Sequence, residues 1–191
     1  MHRKAKIDKM RIISGKARGT KLYTLEGENT RPTLDRVKES IFNIIQSKLE
    51  DAQVLDLFAG SGAIGLECLS RGAKKAILCD KSKEAIQIIK KNIQKTHMEE
   101  KTQLYNTDFE TCLEKVKKEK FDLIYIDPPY ETNYIVKSLK KIIELGIVKE
   151  KSIIILETDD ENRIQKEIKT LEVKIVDKRK YGRAMIIFLE I

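Results

Sequence analysis

The amino-acid sequence predicts an α/β protein: a mixed, seven-stranded, doubly wound sheet that finishes in an antiparallel hairpin, with a small basic β-hairpin and a helix in front of it. Three observations predict this. Short apolar runs alternate with amphipathic helical patterns from Gln53 onward, residues 171–191 break that rhythm, and residues 1–21 carry most of the net charge. Strands are expected at 53–57 (QVLDL), 75–80 (KAILCD), 102–105 (TQLY), 121–126 (FDLIYI) and 152–157 (SIIILE). Such short, unbroken apolar strands belong to a parallel sheet covered on both faces. Helical patterns fall near 62–71, 82–96, 109–118, 133–145 and 161–169. The stretches 171–180 and 183–191 are joined only by Tyr181-Gly182, a connection too tight for a crossover, so they pair antiparallel. Ahead of the sheet, 11–14 and 20–24 flank Gly15–Gly19 as a short hairpin, and Arg31-Pro32-Thr33 opens a helix over 33–49. Leu34, Val37, Ile41, Ile44 and Ile45 form its apolar stripe.

Composition narrows the class of protein. A chain of 191 residues is long enough for one α/β domain with a real core. No apolar run approaches the roughly 20 residues of a membrane span, and Met1–Lys9 lacks the apolar stretch of a secretory signal. A cytoplasmic location is expected. Cys68, Cys79 and Cys112 are odd in number and show no CxxC spacing; with His2 and His97 the only histidines, neither a disulfide framework nor a metal site is expected. The cysteines fall within apolar segments, as core residues do.

The net charge of +8 is concentrated at one end. Residues 1–21 hold Arg3, Lys4, Lys6, Lys9, Arg11, Lys16, Arg18 and Lys21 against Asp8 alone, leaving the rest of the chain nearly neutral. Met10 is an alternative start, and dropping residues 1–9 keeps Arg11, Lys16, Arg18 and Lys21 without an acid among them. A basic arm on a neutral body is the footprint of a phosphate-backbone binder.

The first core strand runs into Asp56-Leu57-Phe58-Ala59-Gly60-Ser61-Gly62-Ala63-Ile64-Gly65. A GxGxxG pattern directly after a strand and opening a helix marks a nucleotide-cofactor site, where glycines admit close backbone approach and helix–sheet packing. A dinucleotide would use the helix N-terminus for its pyrophosphate. S-adenosylmethionine has no phosphate but has an ammonium group, which suits Asp56. Asp80, twenty residues past Gly60, can take both ribose hydroxyls of either cofactor. Asp108 suits either the adenine amino group or the N-cap of the helix beginning near Phe109.

The deciding element is Asp127-Pro128-Pro129-Tyr130, directly after the strand FDLIYI. In this fold class that strand borders the first, so its carboxyl end opens onto the crevice of the glycine loop. An amino group conjugated to a ring is a poor nucleophile and must aim its nitrogen at the methyl group. Asp127 and the Pro128 carbonyl can accept its two hydrogens, Pro129 stiffens the turn, and Tyr130 offers a flat face for a stacked base. With no cysteine in this loop, carbon-5 pyrimidine methylation, which needs a thiol nucleophile, is disfavoured. The terminal antiparallel hairpin agrees, because it marks the methyltransferase variant of the Rossmann-like fold.

DLFAGSGAIGLE (56–67) with DPPY (127–130), preceded by RIISGKARGTKL (11–22) and TRPTLDRVKES (30–40), resembles the RsmD family of bacterial small-subunit ribosomal RNA methyltransferases, which act on a guanine N2. The similarity runs from about Met10 to the last strand. It implies a class I S-adenosyl-L-methionine-dependent methyltransferase fold, with the cofactor held by Asp56, Phe58, Gly60, Gly62, Gly65, Asp80 and Asp108. It implies catalysis at Asp127, Pro128, Pro129 and Tyr130. It also implies a 16S ribosomal RNA substrate within an assembling small subunit, with Arg31, Thr33 and Arg36 over the cofactor or target base. Arg11, Lys16, Arg18, Arg31 and Arg36 are the expected RNA contacts. The expected division is a basic extension over residues 1–50, covering RNA and cofactor, and a catalytic domain over 51–191, acting as a monomer without metal. The alternatives are an adenine-N6 or cytosine-N4 methyltransferase of DNA or another RNA, a nicotinamide-dependent oxidoreductase, and a non-catalytic RNA-binding module. The last two leave DPPY unexplained.

Overall fold

The structure, a computed structural model, describes residues 5–25, 32–129 and 132–191. A seven-stranded sheet has the order β5-β4-β3-β6-β7-β9-β8. Its strands are β3 (Gln53–Asp56), β4 (Lys75–Asp80), β5 (Thr102–Asn106), β6 (Phe121–Ile126), β7 (Val148–Thr158), β8 (Lys174–Tyr181) and β9 (Ala184–Glu190), and β1 (Ala5–Arg11) pairs with β2 (Lys21–Leu25) in a separate hairpin. Strands β3 to β7 are mutually parallel, while β9 runs antiparallel to both β7 and β8. The chain leaves β3 toward β4 and β5, then returns to β6 on its other side. That reversal opens a crevice at the carboxyl ends of β3 and β6, where Asp56 pairs with Tyr125 in register.

Alternation along the strands builds two apolar layers. Val54, Leu78, Tyr125 and Ile155 face one side, packed under α1 (Pro32–Ile45), α2 (Ala63–Ser70) and α3 (Lys83–Thr96). Leu55, Ile77, Ile124 and Ile154 face the other, under α4 (Phe109–Lys115), α5 (Tyr134–Leu145) and α6 (Glu161–Ile168). Local signals explain the helix limits. Pro32 opens α1, a position that needs no N–H; Ser82 caps α3 by accepting from the Ala85 amide at 3.2 Å; and Gly146, left-handed at φ 57°, ends α5.

Ile12, Leu22, Val37, Ile41, Phe42 and Ile45 are buried in the same layer as Val54 and Leu66 of the sheet body. The N-terminal segments and the sheet body therefore share this apolar layer. The hairpin also differs from expectation, since its first strand is Ala5–Arg11 rather than 11–14. Residues 13–17 are instead held by α2. The Ile13 and Ser14 amides donate to Glu67 (2.8 and 2.9 Å), the Lys16 amide to the Ser70 carbonyl (2.8 Å) and the Ala17 amide to Ser70 Oγ (3.0 Å). Gly15 is required there, because its φ is 81° and a Cβ would lie 1.8 Å from the Ser70 carbonyl oxygen. Strand β7 begins at Val148 rather than 152, with Lys151 left-handed at φ 61° where its pairing with β6 shifts register. Among the described residues no helix is long and apolar enough to cross a membrane.

Glu67 is fully buried, and its carboxylate joins three segments. Besides the two loop amides it pairs with Lys38 of α1 (3.1 Å) and Arg71 (2.8 Å), both nearly buried themselves. Lys38 also donates to the Arg11 carbonyl (2.8 Å), and Arg71 lies 4.6 Å over the Phe42 ring and donates to Gln46. Burial pulls the Lys38 ammonium below its usual range, and Glu67 opposes that shift. Removing the anion strands two buried cations and two amides. Glu67→Ala should therefore cost about 3–5 kcal/mol of unfolding free energy in urea titration, with the far-UV helix signal retained in the surviving folded fraction.

Candidate active site

Past Asp56 the chain folds back over its neighbours. The Leu57 amide donates to the Tyr125 carbonyl (3.1 Å) and the Ala59 amide to the Cys79 carbonyl (2.9 Å). Gly60 and Gly62 then turn left-handed (φ 52° and 78°), a conformation natural to glycine. The Gly60 amide donates to Asp80 Oδ2 (2.9 Å) and the Ser82 amide to Oδ1 (2.8 Å), so the carboxylate at the end of β4 is held still. Asn92 of α3 donates to the Ser61 carbonyl (2.8 Å) and exchanges bonds with both backbone groups of Tyr23, tying the loop to β2.

Two cavities meet at this loop. One, of 340 Å³, is walled by Met10, Val37 and Lys38 from the N-terminal segments and by Asp56, Ser61 and Glu157 from the sheet body. The other, of 430 Å³, is walled by Asp80, Lys81, Asp108, Phe109 and Tyr134. Phe58, Gly60 and Asp127 line both. The glycine loop and the first residue of the DPPY turn are thus on one crevice, as the expected strand order requires.

The expected residues separate by position. Asp56 is buried with its Oδ1 unpartnered. Burial pushes its carboxyl up to about 7 against the pull of the Gly65 and Phe58 amides, with Asp80 adding to the rise. Asp108 caps α4, accepting from the Thr111 amide (2.9 Å) and hydroxyl (2.8 Å), which hold it below the usual carboxylate range; it lines the second cavity as well. Gly62 and Gly65 line neither cavity. Gly62 caps α2, and Gly65 lies inside it, where a Cβ would come within 2.2 Å of Leu78 on β4. Gly65 thus lets α2 pack closely on β4. Pro128 is buried, Pro129 is exposed, and the Pro129 carbonyl accepts from Thr132 Oγ1 (2.8 Å), which braces the turn. Tyr130 and Arg31 lie outside the described residues, as does the side chain of Thr33.

The basic residues also divide. Arg11 and Arg36 are exposed beside Met10 and Val37 at the first cavity, Arg11 in an ion pair with Asp35 (3.3 Å). Lys16 and Arg18 are exposed on the loop against Ser70, one helix length from the glycine turn. Three features have no expectation in the sequence reading. Phe58, Phe109 and Tyr134 form an aromatic cluster, with Phe58 and Tyr134 stacked at 6.1 Å, and Lys81 lies 5.7 Å over Tyr134. Lys38 reaches the first cavity from α1. Tyr125, buried on β6, donates its hydroxyl to Glu157 of β7 (2.7 Å). The only signal for Phe109 and Tyr134 is their place next to Asp108 and after DPPY; for the Tyr125–Glu157 pair there is only the alignment of two strand ends.

A doubly wound sheet ending in an antiparallel pair, with an acid-lined crevice at its switch point, defines a class I methyltransferase-like protein. The family described as conserved hypothetical protein 95 matches residues 10–190. The chain belongs to this family, the RsmD family of S-adenosylmethionine-dependent methyltransferases. It is 40% identical over 154 residues to a Bacillus subtilis (strain 168) protein provisionally named rRNA methyltransferase YlbH, covering 80% of this chain and 84% of that one. It is 35% identical to the ribosomal RNA small subunit methyltransferase D of Haemophilus influenzae, covering 78% and 79%. Among solved structures, yhhF from Escherichia coli, provisionally named a methyltransferase, superposes with a TM-score of 0.80 at 28% identity, covering 94% and 96%.

The buried Asp56 carboxyl links pH to stability. Its folded pKa, about 7, lies above the ordinary 3.8, so the folded state holds a proton the unfolded state has released. Stability therefore declines as pH rises between those values, and the full cost of the buried charge is present above the folded pKa. Asp56→Asn should raise the melting temperature by several degrees at pH 8, and the gain should vanish near pH 4, as followed by calorimetry.

Proposed function

We propose that this protein transfers the methyl group of S-adenosylmethionine to the exocyclic N2 of a guanine in small-subunit (16S) ribosomal RNA, as a cytoplasmic monomer acting on an assembling particle. The observation that carries the reading is the position of Asp127 on the wall shared by the two cavities, beside Gly60 and Phe58. The crevice fits the donor chemically. An unpartnered buried oxygen on Asp56 suits an ammonium group, Asp80 at the end of β4 suits a ribose diol, and Asp108 with the Phe58–Phe109–Tyr134 cluster suits an adenine ring and its amino group. Curated relatives named ribosomal RNA small subunit methyltransferase D support the choice of substrate.

When bound, the sulfonium supplies an electrophilic methyl group; its transfer to nitrogen leaves a neutral thioether and frees one proton. The chain's own task is to aim that nitrogen. Asp127 and the Pro128 carbonyl accept the two amino hydrogens, and Tyr130 stacks on the ring. Orientation of this kind is worth up to about 7–11 kcal/mol, against about 10²–10⁴-fold for proton removal. Asp127 therefore serves first as aligner and second as acceptor of the released proton. Residues 1–50 act as the RNA-gripping, cofactor-covering extension, with Arg11, Lys16, Arg18, Arg31 and Arg36 on phosphates. A basic hairpin and one helix can hold a shaped backbone but have little surface for reading duplex sequence.

Nuclease digestion and mass spectrometry of small-subunit RNA should find one N2-methylguanosine that disappears on deletion of the gene. Wild-type protein should restore it, and Asp127→Ala should not, while keeping its S-adenosylmethionine Kd within a few-fold. An unchanged N2-methylguanosine count after deletion rejects the substrate. Replacing Lys16 and Arg18 together by Gln should lower the slope of log K against log salt by about 1.4–1.8 for RNA binding. An unchanged slope removes the loop from the phosphate contacts.

A further inference from the structure

We infer that the RNA strand leaving the crevice runs over a second basic surface, formed by β2 and α3, on which Lys21, Lys91 and Lys95 take its phosphates around the ring of Tyr23. The inference rests on the ribosomal RNA reading above and extends it to a helix outside the basic arm of residues 1–21. Helix α3 carries Lys83, Lys90, Lys91 and Lys95 against Glu84 alone, and Glu84 stands in its first turn. A base inserted into the crevice leaves its own phosphates at the mouth. The strand must then depart over a face whose charge attracts it.

The track can be followed residue by residue. In β2, Leu22 and Thr24 are buried, so Lys21 and Tyr23 share the outer face. Arg11 is the cross-strand partner of Lys21, and paired side chains of an antiparallel ladder stand on one face. Arg11 follows Met10, which lines the first cavity, so the track begins at the mouth of the crevice. Tyr23 carries it on to α3, with the Lys95 ammonium 4.7 Å and the Lys91 ammonium 5.9 Å from its ring centre. Such contacts hold two flexible cations near one ring without neutralising them. Asn92, next to Lys91, exchanges bonds with the Tyr23 backbone and donates to the Ser61 carbonyl, which fixes the ring beside the glycine loop. Arg11 keeps Asp35 as its partner, whereas the ion pairs of the described residues include none of Lys21, Lys91 and Lys95. The opposite layer offers no comparable path. The groove of α4 and α5 is lined by Glu110, Glu114 and Glu144 with Lys137, Lys140 and Lys141, and its charges compensate one another.

The test titrates binding against salt for naked small-subunit RNA and for the reassembled particle. It compares wild type with Lys91→Gln/Lys95→Gln and with a control of equal charge loss, Lys118→Gln/Lys140→Gln, at exposed positions of the opposite layer. On both substrates the α3 pair should lower the slope of log K against log salt by about 1.4–1.8, and the control pair should leave it unchanged. An unchanged slope in the α3 pair overturns the track. Equal loss in both pairs also overturns it, because binding then follows net charge alone. A loss confined to the particle gives this face to a protein of the particle and overturns its assignment to RNA. In each of these cases wild-type protein still forms N2-methylguanosine. Its failure to do so overturns the proposed function instead.

Discussion

The structure turns on a carboxylate that never meets solvent. Glu67 sits on α2, behind the glycine loop, and gathers Lys38, Arg71 and two loop amides from segments far apart in sequence. A lone buried carboxylate would be expensive, and two cations with charge-assisted hydrogen bonds offset that cost only in one geometry. The geometry matters more than the net energy. It sets α1 and the hairpin loop against α2, and this places Met10, Val37 and Lys38 as one wall of the first cavity. Without that anchor, the crevice would have a floor and one side.

The floor is electrostatically one-sided. Asp56, Asp80, Asp127 and Glu157 all stand at carboxyl ends of strands or just beyond them, and the two cavities share Asp127. Their burial differs, and with it their chemistry. Asp80 is satisfied by two amides and stays ready as an acceptor, whereas Asp56 has an orphan oxygen and holds its proton toward neutrality. Such a set of acids suits a ligand that brings donors and cations, as S-adenosylmethionine does with its ammonium and sulfonium groups.

The three glycines of the loop show how one motif divides its labour. Gly60 lies on the cavity wall, Gly62 makes the left-handed cap of α2, and Gly65 lets α2 lie against Leu78. A side chain at each would disturb the loop through a different cause: a strained turn on the cavity wall, a strained cap, or a helix pushed off the sheet.

Much of this was legible in the chain itself. Unbroken apolar runs such as FDLIYI and SIIILE set the parallel sheet, and Tyr181-Gly182 set its antiparallel end, because strand periodicity and turn length are local properties. The DPPY turn and the glycine loop were readable for the same reason, since each is a short segment whose position after a strand is determined by its neighbours. What tertiary structure alone decided was everything that depends on long-range partners. Glu67 reads as an ordinary polar residue in a helical pattern, Asn92 as another, and Glu157 as the end of a strand. Their burial and their partners, Lys38 and Ile13, Tyr23 and Ser61, Tyr125, come from segments between 29 and 69 residues away. A sequence records which groups want hydrogen bonds; only the packed fold, by removing water, determines which of them must find each other.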